Sequence, residues 1–356
     1  MPKPTLTVII VTLDRPQCLR RCLRHLQQQT VAISQTIVVD GHPNGNSESV
    51  VHDFEGVTYI HNADGFGRMT ASRNMGLEQA NGDIVAYLDD DAYASREWAA
   101  QILLPYSNPT IGAVGGQALN GTPGERITGG AVGRITKWGE VTGNFSADVE
   151  GVIDVDHLMG CNMSFRRDLV VELGGFVELY PNGQCSTFEE VDLCMRIRKF
   201  GRRLKYNSRA SVVHEGAPRR VGARGDINYV FGATRNLLTI LLRNRGIFST
   251  IVPAFIAFTI CHSTLAFARD FIRSLVRFLA AVCGILAAVF GLAKRRSHSP
   301  GICVDRIPDV ISCPKIAGSP KPPPEVLPSH DQPVWLFHLR THSNRQNGNH
   351  RAKKGS

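Results

Sequence analysis

The chain has 356 residues, 43% of them hydrophobic, so it is long enough to bury a large core in one or two domains. Its net charge of +9 is concentrated near the C-terminus, because residues 294–356 contain eleven Lys and Arg but four Asp and Glu. The remaining chain is nearly neutral. This argues against a nucleic-acid-binding protein, which needs a basic face on its folded domain.

The nine cysteines are irregularly spaced along the chain. Cys18 and Cys22 lie four residues apart, which suits one face of a helix rather than a metal or redox site. The N-terminal residues lack the charged and apolar regions of a secretory signal. We therefore expect reduced thiols in a folded domain that faces the cytoplasm.

Short apolar runs alternate with helical patterns through the first quarter of the chain. Strands are predicted at 7–12, 36–39, 57–61 and 83–88, and helices at 15–29 and 69–80. This alternation predicts an α/β fold with a mostly parallel sheet flanked by helices. In such sheets ligands gather at the carboxyl ends of the strands, where Asp40 and the acidic run Asp89–Asp91 are placed.

The chain is less regular after the fourth strand. Residues 110–150 are rich in Gly and Thr, and we expect irregular strands and loops there. Helices are predicted at 169–173 and 189–200, each followed by glycine. Two short strands, at 204–206 and 210–214, are expected to close the domain.

The composition changes after a first domain that we place at residues 1–245. Residues 246–268 are uncharged and long enough to cross a bilayer, whereas the uncharged run 278–293 is short for a crossing. We expect residues 246–294 to form an apolar helical pair at the membrane. A transmembrane hairpin, a re-entrant or interfacial pair, and a pair buried in a soluble domain are the alternatives. Residues 295–356 are basic and Pro-containing, which predicts a disordered tail.

Three consecutive carboxylates, Asp89, Asp90 and Asp91, follow the fourth strand directly. Like charges at this spacing repel, so a compensating charge is expected, and Mg²⁺ or Mn²⁺ takes oxygen ligands of this kind. Because alternate residues of a strand point to opposite faces, Asp89 and Asp91 are expected to point the same way. A solvated turn or a helix N-cap is the alternative for such a triplet.

Several other segments follow one another in a defined order. They are the loop Thr12–Pro16, the strand end Val38–Asp40, Ala71–Gly76 (ASRNMG), Gly82–Asp91 (GDIVAYLDDD), Gly160–Arg167 (GCNMSFRR), Gly174–Phe176, Glu189–Arg196 (EEVDLCMR) and His214. In this order they resemble the motifs of the family 2 glycosyltransferases over residues 5–245. The resemblance implies the GT-A fold and inverting, hexosyltransferase-type chemistry on a nucleotide-sugar donor.

The resemblance places the donor nucleotide at the strand ends. Thr12 and Asp14 match the first nucleotide-contacting loop of the family. Asp40 matches the second, where its carboxylate can accept a hydrogen bond from a base imide N–H. This contact does not choose between UDP-, dTDP- and GDP-linked donors. A turn-forming role is the alternative for Asp40.

The resemblance also implies a metal site. Asp91 is the expected main ligand of Mg²⁺ or Mn²⁺, and Asp89 and His214 are further candidates. Asp89 and Asp90 are also expected to contact the nucleotide. Arg73 can meet a phosphate or orient the acidic loop. A structural role for His214 and a surface salt bridge for Arg73 are the alternatives.

Glu189 and Glu190 are the expected general base. A carboxylate must take the acceptor proton while the hydroxyl oxygen attacks the anomeric carbon opposite the diphosphate, which inverts that carbon. Glu190 occupies the family's Asp position, but either residue fits, and the pair also suits the N-terminal turn of a helix. Gly160 and Asn162 are expected on the acceptor side.

These observations predict a metal-dependent inverting glycosyltransferase at the cell membrane. Processive synthases of the family carry a Q-x-x-R-W segment, and none follows His214. The resemblance therefore favours single additions over processive synthesis. The acceptor is expected to be a carbohydrate or a lipid-linked molecule in cell-surface polysaccharide or glycolipid synthesis. An inactive, membrane-anchored nucleotide-sugar-binding or scaffold protein is the main alternative. A nucleotidyltransferase is disfavoured because no Gly-rich basic loop follows the first strand.

Overall fold

The computed structural model describes residues 3–120, 130–179, 187–216 and 227–246, with short helical pieces at 252–253, 255–256, 279 and 282–288. Within them the strands are β1 (Leu6–Thr12), β2 (Gln35–Asp40), β3 (Val57–His61), β4 (Ile84–Asp89), β5 (Ala92–Ala94), β6 (Ile111–Leu119), β7 (Val152–Val155), β8 (Asn162–Arg166) and β9 (Arg203–His214). The α-helices are α1 (Pro16–Gln27), α2 (Glu48–His52), α3 (Met69–Gln79), α4 (Trp98–Leu103), α5 (Arg167–Glu172), α6 (Glu189–Lys199) and α7 (Ile227–Arg245). A 3₁₀ turn at Leu104–Ser107 follows α4.

All the described strands belong to one sheet in the order β3-β2-β1-β4-β8-β6-β9-β5, with β7 paired to β9. The first four strands in this order are parallel, as the alternating pattern predicts. Their registers pair Thr12 with Asp40 and Val11 with Asp89. The carboxyl ends of β1, β2 and β4 therefore meet at one edge of the sheet, where ligands bind in folds of this type.

The other half of the sheet differs from the predicted mostly parallel arrangement. β8 is antiparallel to both β4 and β6, and β9 is parallel to β6 but antiparallel to β5 and β7. The sheet is therefore mixed.

The two short strands predicted at 204–206 and 210–214 are one continuous strand, β9. Polar residues in its middle break the apolar pattern, but Asn207 donates to the Gln101 carbonyl and Ser208 to Asp148, so both are satisfied within the fold. The predicted irregular region 110–150 likewise begins with a regular strand, β6, before its loops.

Helices cover both faces of the sheet because the central strands are apolar on both sides. Val8 and Ile10 pack with α1, α2 and α4, whereas Ile9 and Ile37 pack with α3, α5 and α6. A third apolar cluster lies outside this sandwich and joins α7 to the start of α6. One end of α6 is therefore held between the sheet and α7.

Asn162 fastens three strands at the centre of the mixed half. Its side chain is fully buried, accepts a hydrogen bond from Trp98 Nε1 at 2.9 Å, and donates to the carbonyls of Gln117 and Ala210, both at 2.9 Å. β6 and β9 approach so closely here that a Cβ at Gly116 would lie 1.8 Å from the Ala210 carbonyl oxygen. These contacts set the position of β9, which ends at His214.

The predicted helical pair at 246–294 lies largely outside the described residues, as does the whole of the predicted tail at 295–356. Within the part of the chain that the structure describes, no helix combines the length and the apolar character needed to cross a bilayer.

We expect Asn162→Ala to lower the free energy of unfolding by about 3 kcal/mol, because it leaves a buried indole N–H and two buried carbonyls without a partner. Urea denaturation measures the change. Asn81→Ala, at an exposed position, is the control and should stay within about 0.5 kcal/mol of the parent protein. Equal stability of the two variants would show that the Asn162 contacts do not support the sheet.

Candidate active site

The three aspartates at the end of β4, Asp89, Asp90 and Asp91, have different contacts. Asp90 is fully buried; its carboxylate accepts a hydrogen bond from the Thr12 hydroxyl at 2.7 Å and pairs with Arg15 at 2.6 Å. Asp91 and Asp89 instead approach His214 Nε2, at 3.2 and 3.7 Å. Asp89 and Asp91 thus both face His214, as predicted, although Asp90 and Asp91 lie in a turn and not in a strand.

His214 reaches the acidic run through local strand pairing. β5 begins directly after Asp91 and pairs antiparallel with β9, with Ala92 opposite His214. The Glu215 backbone N–H also donates to the Asp91 carbonyl at 3.1 Å. The end of β9 is therefore tied to the acidic run by backbone contacts, and the imidazole is positioned by them.

One ligand atom from each of Asp89, Asp91 and His214 lies within 4.8 Å of the others. Two carboxylates and an imidazole form a donor set that suits a divalent cation. Burial lowers the pKa of His214, but Cys161, Asp91 and Asp89 outweigh it and raise the pKa to about 11. Cation binding to this imidazole therefore requires release of its proton.

Arg15 supplies the positive charge that compensates the acidic run, a role that the motifs did not predict. It lies just after β1, contacts Asp90 through two nitrogens, and reaches Asp91 at 2.9 Å. Burial lowers its pKa, but the carboxylates of Asp90 and Asp91 raise it more. Burial is also the main reason that the pKa of Asp90 is raised to about 7. Repulsion within the triplet is thus relieved by a guanidinium. The sequence signal for this contact was an arginine in the loop after β1, which parallel pairing places next to the end of β4.

Arg73 connects the acidic run to α6. It is 2% exposed and donates to Glu189 at 2.9 Å and to the Gly160 carbonyl at 3.2 Å, and it lies 3.5 Å from Asp89. Burial lowers its pKa, but the Glu189, Asp89 and Glu190 carboxylates raise it overall. The residue is therefore a buried cation shared by two acidic groups, not part of a surface salt bridge. Both groups therefore lie within reach of one guanidinium.

The two glutamates at the start of α6 have different surroundings. Glu189 is 3% exposed and held by Arg73, whereas Glu190 is partly exposed. Burial, followed by the charge of Glu189, raises the pKa of Glu190 to about 8. Further along α6, Asp192 forms an ion pair with Arg196 at 2.8 Å.

Phe188 precedes α6 with a φ of 69°, a left-handed conformation that non-glycine residues seldom adopt. Its side chain packs in the cluster around α7. The Asn236 side chain of α7 also donates to the Thr187 carbonyl at 3.2 Å. The start of α6 is therefore supported from outside the sheet.

The residues predicted to contact the nucleotide surround the same edge, but their polar groups are already engaged. Asp40 is fully buried and accepts hydrogen bonds from the backbone N–H groups of His42 at 2.9 Å and Ser47 at 2.8 Å. Asp14 has a φ of 54° and accepts from Asn46 at 2.9 Å. In this structure Asp40 organises its own loop, and its contact with a base remains a prediction.

The two predicted acceptor-side residues behave differently. Gly160 lies beside Arg73 and Glu190, since an added Cβ would be 3.3 Å from Arg73 and 3.9 Å from the Glu190 carboxyl carbon. Asn162 is fully buried, and its amide joins β8 to β6 and β9. An acceptor-facing role for Asn162 therefore does not fit this structure, because its amide is already hydrogen-bonded between the strands.

Residues 7–174 match the model of the family described as glycosyl transferase family 2. This range runs from the second residue of β1 through β8 and includes the complete acidic run. The match over these residues confirms the resemblance to family 2 glycosyltransferases that the motifs predicted.

Two characterised relatives have glycosyltransferase names. Glucosyl-dolichyl phosphate glucuronosyltransferase from Haloferax volcanii is 28% identical over 220 residues, which cover 60% of this chain and 69% of that protein. Pre-mycofactocin glycosyltransferase from Mycobacterium tuberculosis is 29% identical over 215 residues, covering 59% of this chain and 42% of that protein. The match thus spans less than half of the mycobacterial relative.

A solved structure shares the architecture. The mannosyltransferase PcManGT from Pyrobaculum calidifontis, in complex with GDP-Man and Mn²⁺, aligns with a TM-score of 0.53 at 16% identity, covering 82% of this chain and 88% of that one. At this identity the likeness concerns the fold alone. It supports a GT-A-like α/β domain.

We expect Arg73→Met to lower the free energy of unfolding by about 3–5 kcal/mol at neutral pH, because Glu189 becomes a buried carboxylate without its cation. An unpaired buried carboxyl has a raised pKa. Protonation at lower pH should therefore reduce the deficit, and denaturation at several pH values measures it.

The matched control is Arg203→Met, which breaks an exposed ion pair with Asp154. Its cost should be about 1 kcal/mol or less. A cost for Arg73→Met no larger than for this control, or one that does not change with pH, would contradict the buried bridge.

Proposed function

We propose that the protein is a metal-dependent inverting glycosyltransferase that moves one sugar at a time from a nucleotide-sugar donor to an acceptor hydroxyl. The observation that carries the proposal is the position of buried Arg73, 3.5 Å from Asp89 and 2.9 Å from Glu189. A cation-binding group and a pair of candidate bases thereby lie on either side of one guanidinium. Inverting transfer needs both functions on opposite sides of a single anomeric carbon.

Asp89, Asp91 and His214 would hold Mg²⁺ or Mn²⁺. When bound, the ion supplies positive charge to the diphosphate that leaves with the nucleotide. The compact donor set and the Mn²⁺ in the solved mannosyltransferase support this assignment. Arg15 keeps Asp90 and Asp91 in place by neutralising part of their charge.

Glu190 is the better candidate for the base. Glu189 is tied to Arg73 and nearly inaccessible, so it acts as a positioning residue. Glu190 is partly exposed, and a base with a pKa near 8 can take a proton efficiently close to neutral pH. Its carboxylate accepts the acceptor hydroxyl proton as the oxygen attacks. Gly160, expected on the acceptor side, lies close to it, since an added Cβ would be 3.9 Å from the Glu190 carboxyl carbon.

The donor belongs to the UDP-, dTDP- or GDP-linked sugars, and the acceptor is a carbohydrate or a lipid-linked molecule. The solved mannosyltransferase contains GDP-Man, and the name of the haloarchaeal relative specifies a dolichyl phosphate. A lipid-linked acceptor would place the protein at the cell membrane with its catalytic domain facing the cytoplasm. Synthesis of a cell-surface polysaccharide or glycolipid fits this placement.

The assay that tests the activity measures release of free nucleoside diphosphate from a panel of nucleotide sugars with Mn²⁺ or Mg²⁺ and polyprenyl-phosphate-linked acceptors. We expect turnover with one donor, lost at least about 100-fold in Asp91→Ala because loss of a metal ligand removes several kcal/mol of leaving-group stabilisation. Asp154→Ala, far along the chain in an exposed pair, is the control and should retain activity. Full activity of Asp91→Ala would refute the metal site, and donor binding without turnover would favour the inactive scaffold.

Glu190→Gln should abolish turnover while leaving donor binding intact, because the amide cannot accept the proton. In the parent enzyme kcat/KM should fall about tenfold per pH unit below pH 8, since the base must be deprotonated. Glu189→Gln should shift this limb to lower pH, because the charge of Glu189 raises the pKa of Glu190. Activity of Glu190→Gln with an unchanged pH profile would place the base elsewhere.

A further inference from the structure

The hairpin of residues 134–142, here called the tryptophan hairpin, exposes a large aromatic side chain at its tip. Ile135 and Val141 pair across it, and the turn at Gly139 has a φ of 78°, which a glycine accommodates. Trp138 is 47% exposed, and the Lys137 ammonium lies 5.2 Å from its ring centre. An exposed Trp beside a Lys is a combination suited to the boundary between water and lipid headgroups.

The tryptophan hairpin rests on the C-terminal end of α7. An added Cβ at Gly139 would lie 2.8 Å from Leu241 and 3.1 Å from Phe255, and Ile135 and Val141 belong to the same apolar cluster as α7. The tip of the hairpin is therefore next to the point where α7 ends and the uncharged run from Gly246 begins.

The charged side chains of α7 are all positive. The helix contains three arginines and no Asp or Glu, and Arg243 and Arg245 are exposed in its last turn. Arg245 follows Leu241 by four residues and so lies on the helix face that contacts the hairpin. Lys137 adds a positive charge on the hairpin, where Glu140 is the one carboxylate. Anionic lipid attracts such basic residues when they lie close to its surface.

We propose that the tryptophan hairpin and the last turn of α7 form a membrane-docking surface for a bilayer that contains anionic lipid, with Trp138 inserted at the headgroup level. This inference rests on the proposed function, because it explains how a lipid-linked acceptor reaches the site. The same apolar cluster supports Phe188, directly before Glu189 and Glu190. Docking by this surface brings the bilayer to the side of the domain where the candidate base lies.

The fluorescence of Trp138 tests the docking in the 356-residue chain. The chain has three tryptophans, of which Trp98 is fully buried. Trp335→Phe leaves Trp98 and Trp138 as emitters. Vesicles of equal amounts of phosphatidylglycerol and phosphatidylcholine brominated near the headgroup should quench this variant. The double variant Trp138→Phe/Trp335→Phe, which retains Trp98, should lose that quenching while still co-floating with the vesicles.

Unquenched emission from Trp335→Phe, whether the protein floats with the vesicles or stays in solution, would overturn the proposal, because Trp138 would then not enter the lipid. Lys137→Glu/Arg245→Glu should weaken quenching by anionic vesicles, and an unchanged response would overturn the role of the basic residues. Transfer to a water-soluble acceptor analogue, measured in parallel, reports the glycosyltransferase activity without the bilayer. A failure of docking is thereby distinguished from a failure of the proposed function.

Discussion

The site depends on the neutralisation of carboxylates that the fold brings together. Asp90 and Asp91 are almost completely buried, and so is Glu189 at the start of α6. Burial of an unpaired carboxylate is costly, and several of them repel one another. Arg15 on one side and Arg73 between the two groups supply the compensating charge. Because Arg73 serves both groups, the distance between a cation site and a candidate base is set by a single buried side chain.

The rest of the fold supports this arrangement by fixing the ends of a few elements. Parallel pairing aligns β1, β2 and β4, the short β5 draws the end of β9 toward the acidic run, and Asn162 holds β9 against β6. α7 supports the start of α6 from outside the sheet. The apolar cluster that performs this task continues into the tryptophan hairpin. The proposed membrane surface and the proposed base therefore share one structural support.

Predictions from the sequence were accurate where local patterns are strong. The strand Val57–His61 was predicted to the residue, and the acidic run was correctly placed at the carboxyl end of a buried parallel strand. The predictions were less accurate where pairing between distant segments determines the strand order and direction. The mixed half of the sheet combines segments far apart in the chain, and the polar residues in the middle of β9 hide a continuous strand. Asn162 belongs to a family motif, yet its burial gives it a structural task that spacing alone does not show.

The sequence by itself determined the class of fold, the family resemblance and the acidic residues that are proposed to carry the chemistry, because hydrophobic periodicity and ordered motifs are local properties of the chain. The tertiary structure decided which charges face one another. Arg15 and Asp90 lie 75 residues apart, and Arg73 and Glu189 lie 116 apart. Only folding brings such pairs into contact. It also leaves Glu190 partly exposed, whereas the adjacent Glu189 is buried and hydrogen-bonded to Arg73. The physical reason is that burial and Coulomb interactions depend on distances in space, which residue spacing along the chain does not determine.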